Sequence, residues 1–141
     1  MLHRERWWVA ALAALTVVGC SGIPRHQEPE QPSPALERYL PFATAPIDRF
    51  TWLGRFDSWQ SLDQTHLVVW TSPNNAYLLT VWNSCIDLPF AQRIGVTSTS
   101  GTVSARLDSV LVHRQTCPIS EIRPIDYKAM KEAMRAKKAA S

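Results

Sequence analysis

A chain of 141 residues with 45% hydrophobic and 19% charged side chains has room for one domain. Its formal charge of +3 is uneven: residues 127–141 carry five cations against Glu132 alone, whereas residues 20–126 hold eight Lys and Arg against ten Asp and Glu. The body is near neutral, so no basic surface points to nucleic acid as a partner.

The chain opens with Arg4 and Arg6 against Glu5, followed by twelve uncharged residues, Trp7 to Val18. A basic segment leading into an apolar stretch of this length is the pattern of an export signal. A bilayer-spanning helix needs about 20 apolar residues, so the stretch is too short to remain as a span. It ends in Val17-Val18-Gly19-Cys20, which resembles the lipobox of Gram-negative bacterial lipoproteins. A small residue before the cysteine lets a peptidase approach the backbone, and the thiol is the nucleophile that takes a diacylglyceryl group. The resemblance implies removal of residues 1–19, cleavage between Gly19 and Cys20, and a covalent lipid on Cys20, with acylation of the new amino terminus in many such bacteria. Two or more acyl chains anchor stably where one does not. Ser21, rather than aspartate, after the cysteine implies sorting to the outer membrane, with the domain facing the periplasm.

Residues 20–46 read as a disordered tether. Six of the ten prolines fall there, between Gln, Glu and Ser, and such segments stay extended at about 3.1 Å per residue. Leu36 to Phe42 is the one apolar island and a candidate for docking on the domain.

A β-rich domain is expected over residues 47–126. Phe50-Thr51-Trp52-Leu53 starts the sheet, and Asp57-Ser58-Trp59-Gln60 resembles a helix capping box able to open a turn or two of helix. His66–Thr71 and Ala76–Trp82 are β-branched and aromatic runs of strand length joined by Ser72-Pro73-Asn74-Asn75, the best hairpin in the chain. Both are apolar on both faces, as in a central pair covered on each side. Ile94–Ser98 and Thr102–Leu107 are strands flanking a Thr99-Ser100-Gly101 turn, the second alternating Val103, Ala105 and Leu107 against Ser104, Arg106 and Asp108. Ser109–His113 and a short Ser120–Arg123 complete the sheet. A basic C-terminal helix runs from the N-cap Asp126 through residues 127–141, with Tyr127, Met130 and Met134 as a docking stripe and fraying after Arg135. The fold class is mainly β (α+β): a small antiparallel sheet or open barrel of six to seven strands with a terminal helix.

With Cys20 assigned to lipid, Cys85 and Cys117 form an even pair in an oxidising compartment, where a disulfide is the expected state. A metal or redox role is the alternative, although no Cys-x-x-Cys exists. His66 and His113 lie at strand edges with Asp63 and Asp108 close in sequence, which leaves a metal site or an acid–base pair open. No Gly-x-Ser-x-Gly, phosphate loop or dinucleotide fingerprint occurs, and no cofactor is expected. Trp52, Trp59, Trp70 and Trp82 are candidate binding aromatics for a glycan or protein partner, with core filling as the competing role.

Asp57-Ser58-Trp59, Leu67–Thr71, Ala76–Leu79, Cys85, Ile94-Gly95-Val96 and Cys117–Asp126 together resemble a family of small uncharacterised Gram-negative envelope proteins, a domain of unknown function. The resemblance brings no known activity and supports the paired cysteines. The expected role is a non-enzymatic binding or structural module of the envelope, held at the membrane through Cys20, with another envelope protein or peptidoglycan as possible partner. A periplasmic inhibitor or a carrier of a small apolar ligand is the alternative, and a hydrolase or metalloprotein using His66 and His113 is a third.

Overall fold

The computed structural model describes residues 31–141. The expected export leader and lipid-attachment site, Gly19 and Cys20, lie outside the described residues, as does the first part of the expected tether. The described elements are helix α1 (Pro34–Glu37), strands β1 (Arg49–Thr51), β2 (Ser58–Ser61), β3 (His66–Ser72), β4 (Asn75–Val81), β5 (Gly95–Val96), β6 (Thr102–Ser104), β7 (Ser109–Val112) and β8 (Gln115–Ile125), and helix α2 (Tyr127–Ala139). Six strands form one antiparallel sheet in the order β2-β3-β4-β8-β7-β5, curled as a half-barrel, and β1 pairs with β6 in a second, smaller sheet.

The β3–β4 hairpin lies inside the sheet and separates two apolar clusters. In a strand, successive side chains point to opposite faces. Leu67 and Val69 of β3, opposite Leu79 and Tyr77 of β4, therefore face one cluster, and Val68 and Trp70, opposite Leu78 and Ala76, face the other. The first cluster is closed by Phe50 of β1 and Val103 of β6. The second is closed by Leu36 of α1, Tyr39 and Met130 of α2. A one-residue slip would exchange every one of these faces, so burial on both sides fixes the register. The turn itself, Pro73-Asn74, contains no residue of positive φ. A register shift between Trp70 and Ser72 takes up the distortion instead.

Strand β8 runs for 11 residues where only a short Ser120–Arg123 strand was expected. Pro118 and Pro124 argue for a break, yet neither removes a needed donor. In an extended residue the N–H and C=O point to the same edge. The Pro118 carbonyl accepts from Trp82 N and that of Pro124 from Thr44 N, so each ring nitrogen faces away from the strand paired with it there. A bulge at Ser120 shifts the pairing, with Thr80 opposite Glu121 and Val81 opposite Ile119. This extra residue is why Ile119 and Ile122, three apart, bury on the same face. The Ser120 hydroxyl donates to the Thr80 carbonyl at 3.0 Å.

Other boundaries differ from the sequence expectation for identifiable reasons. Asp57-Ser58-Trp59-Gln60 does not start a helix. A helix of one or two turns has nucleation to overcome, while β3 offers a full row of backbone partners, and Ser58–Ser61 pairs with Trp70–Leu67 as the edge strand β2. The Thr102 strand ends at Ser104 because the chain turns back on Asp108. That carboxylate is buried and accepts from Ser104 N and the Thr97 hydroxyl, each at 2.8 Å. Arg106 takes φ 68° and Leu107 is 83% exposed rather than inward. Ile94–Ser98 shortens to β5, and Phe50 starts the small sheet rather than the large one.

The folded body also begins earlier than Ile47. The Ser33 hydroxyl caps α1 by accepting from Leu36 N, Leu36 and Tyr39 are buried, and Thr44 N and Ile47 N donate to the carbonyls of Pro124 and Ile122. Residues 33–46 are thus part of the domain, and the apolar island docks. At the other end Asp126 caps α2 by accepting from Ala129 N, and the helix continues past Arg135 to Ala139.

Cys85 and Cys117 are joined by a disulfide across 32 residues. Removing it with Cys85→Ala/Cys117→Ala is expected to lower stability by about 4 kcal/mol from the loop-closure term, read as the midpoint of urea unfolding. Asp108→Ala leaves two partly buried donors without their acceptor and is expected to cost roughly 1–3 kcal/mol in the same assay, with Asp108→Asn costing less.

Candidate functional site

The four tryptophans do not assemble into one platform. Trp52 stacks on Phe56 with ring centroids 5.2 Å apart, and both pack against the first cluster. Trp59 also packs there, one residue out of phase with the strand positions that face the second cluster. Trp70, 8% exposed, belongs to the second cluster, edge-on to Tyr39 at 6.3 Å and Tyr127 at 5.7 Å. The indole N–H groups of Trp52 and Trp70 are buried and find no hydrogen-bond partner among the described residues. Trp82 lies just past the end of β4 and is 55% exposed.

Two of the four, Trp59 and Trp70, do meet one cleft of about 530 Å³ along the edge strand β2. Its walls are completed by Tyr39, from the segment before the sheet, and Tyr127, from the first turn of α2. Neither stood out as a site residue in the sequence, because each becomes a neighbour of β2 only when the N-terminal segment and the C-terminal helix dock on the same face. The Tyr39 hydroxyl donates to Gln60 Oε1 at 2.8 Å. Burial, with Tyr127 beside it, holds that hydroxyl above its ordinary pKa against the opposing pull of Arg38, so it remains a donor. Asp57 and Ser58 add an acceptor and a hydroxyl at the mouth. The arrangement is an aromatic and polar recess beside a sheet edge whose outer backbone groups face no strand, the geometry on which an extended segment can add.

The histidines are placed apart from this cleft and serve different aspartates. His66 opens β3 above a turn organised by Asp63, whose Oδ1 accepts from Thr65 N at 2.7 Å and His66 N at 2.8 Å. His66 Nδ1 lies 3.0 Å from that same oxygen and 2.9 Å from the Thr65 hydroxyl. A proton relay needs the carboxylate on one ring nitrogen and the hydroxyl on the other. Here both share Nδ1, so the trio forms a turn cap and assembles no relay. His113 starts the two-residue β7–β8 turn at φ 50° and sits 3.9 Å from Asp87, both half-exposed. Asp108 is committed to Thr97 and Ser104 as described above. Among the described residues no three His, Cys, Asp or Glu side chains converge on a common point that could hold a metal ion, and no helix is long and apolar enough to cross a membrane.

Burial pushes the Asp63 carboxyl up, but hydrogen bonds from Thr65 N and from the His66 and Thr65 side chains outweigh it and hold the group below the ordinary aspartate value. A depressed folded pKa stabilises the fold above the unfolded pKa of about 3.9, and that contribution disappears as pH falls through the folded value. The carboxyl resonance of Asp63 is therefore expected to titrate below pH 3.9. Asp63→Ala is expected to flatten the acid limb of a stability-versus-pH curve in that window.

Residues 3–141 match the family of unknown function DUF6491. No curated protein and no solved structure matches the chain. The match runs through the lipobox-like segment, both cysteines of the disulfide and every described element, so this chain belongs to the family of unknown function DUF6491.

Proposed function

We propose that this chain is a lipid-anchored envelope protein: Cys20 carries the lipid, and the stapled β-domain is a non-enzymatic binding or structural module. The observation that carries the reading is the cysteine assignment. Cys85 is bonded to Cys117, which leaves Cys20 as the one cysteine outside that bond, preceded by Val17-Val18-Gly19 and a short apolar stretch behind two arginines. A thiol in that position is the substrate of lipoprotein maturation, and the disulfide suits an oxidising compartment. On this reading the protein resides at the outer membrane and faces the periplasm.

Asp63, His66 and Asp108 satisfy backbone and hydroxyl groups of their own turns, whereas the recess between Tyr39, Gln60, Trp70 and Tyr127 keeps hydrogen-bonding groups at an open sheet edge. That favours recognition of another envelope component, with an extended peptide segment along β2 as the form of contact. An inhibitor that masks a periplasmic enzyme would use the same edge.

Mass spectrometry of the membrane-extracted protein tests the anchor. The expected species begins at Cys20 and carries acyl mass on that residue, and Cys20→Ala is expected to abolish both processing and acylation. A wild-type chain recovered without acyl mass on Cys20 overturns the reading. Crosslinking from Ser58 or Gln60 in cells, wild type beside Cys20→Ala, then identifies what meets β2.

A further inference from the structure

Between α2 and the turn Leu40–Phe42 runs a trench of about 280 Å³. Phe42, Met130, Ala133 and Met134 line it, with Arg38 and Lys137 as its polar members. Met130 is buried at its base, while Met134, one turn further along the helix, is 52% exposed. Among the described residues the slot remains an open cavity.

The electrostatics of the trench are one-sided. Among the described residues no carboxylate lines it, and neither Arg38 nor Lys137 takes part in an ion pair with another of them. Lys131, by contrast, is held over the Tyr127 ring at 4.6 Å and reaches the Pro73 carbonyl. Lys128, Arg135 and Lys138 add to the positive field of the helix, opposed within it only by Glu132. An apolar floor and two cations with no ion-pair partner among the described residues together match an amphiphile with an anionic head. Its chain would displace water from Phe42 and the two methionines, and its phosphate would meet a guanidinium and an ammonium.

The position of the trench in the chain selects among such ligands. Arg38 stands five residues after Ser33, the cap of the first described helix, and 18 residues after Cys20. Even fully extended, 18 residues span only about 60 Å, so a lipid on Cys20 keeps the trench within reach of the membrane surface. We propose that the trench takes an anionic phospholipid of the membrane in which Cys20 is anchored, so that α2 lies against the bilayer. This proposal rests on the lipid-anchor reading.

The test uses the lipidated mature chain in vesicles of phosphatidylcholine alone or mixed with phosphatidylglycerol. Both hold the chain through its acyl groups, so a difference between them reports the headgroup. Amide exchange along α2 is expected to slow several-fold with phosphatidylglycerol, less so at high salt. Arg38→Glu/Lys137→Glu is expected to remove that difference, and Lys128→Glu/Lys138→Glu, an equal change of charge outside the trench, to retain most of it. An acylated chain indifferent to phosphatidylglycerol, or an equal loss in both double variants, overturns the trench and leaves the anchor standing. Equal protection by free oleate in phosphatidylcholine vesicles assigns the trench to a free fatty acid and overturns the phospholipid. A chain without acyl mass on Cys20 overturns both readings.

Discussion

Strand β8 is the element against which the rest of the domain is registered. Along its C-terminal half it pairs with β4 on one edge and receives Thr44 N and Ile47 N on the other, while Arg106 N donates to the Ile119 carbonyl just before the bulge. Along its N-terminal half it pairs with β7 and is tied through Cys117 to the loop after β4. The bulge at Ser120 divides these halves and lets both contribute to the same cluster, through Cys117 and Ile119 before it and Ile122 after it. Without that extra residue Ile122 would turn toward the opposite face, and one cluster would lose a fully buried side chain.

The two clusters explain where the surface features lie. Closing the first with β1 and β6 uses the middle of the chain. Closing the second brings residues 33–46 and α2 together from opposite ends of the described sequence. Both the recess beside β2 and the trench beside α2 are by-products of that second closure. Tyr39 and Tyr127 meet across Trp70, and Arg38 and Lys137 line one trench with Phe42. The polar recess and the cationic trench are therefore the surfaces at which membership of the fold and any binding role are coupled. A substitution that loosens α2 affects both.

Particular residues show how much of this was legible beforehand. The hairpin, its two-faced burial, the Asp126 cap and the docking island follow from short-range patterns whose physical meaning is local, while the Cys85–Cys117 pairing, 32 residues apart, was expected from the cysteine count and the compartment. His66 and His113 looked like chemistry because sequence proximity to Asp63 and Asp108 says nothing about which atoms are already occupied. Asp63 is spent on the turn of Thr65 and His66, and Asp108 on Ser104 and Thr97. Trp52, Trp59, Trp70 and Trp82 read as a set of candidate binding aromatics because the face each ring takes depends on strand phase, and Asp57–Gln60 reads as a helix start until β3 is placed beside it.

The amino-acid sequence by itself determined the mainly β class, the central hairpin, the terminal helix and its charge, since each depends on periodicity, turn chemistry and capping within a few residues. Tertiary structure alone decided that β8 runs through two prolines, that β2 is a strand, that β1 and β6 leave the main sheet, and that residues 33–46 close a core. Each of those outcomes depends on which backbone edge or apolar face is left unsatisfied by partners distant in the chain. A local window cannot contain that information.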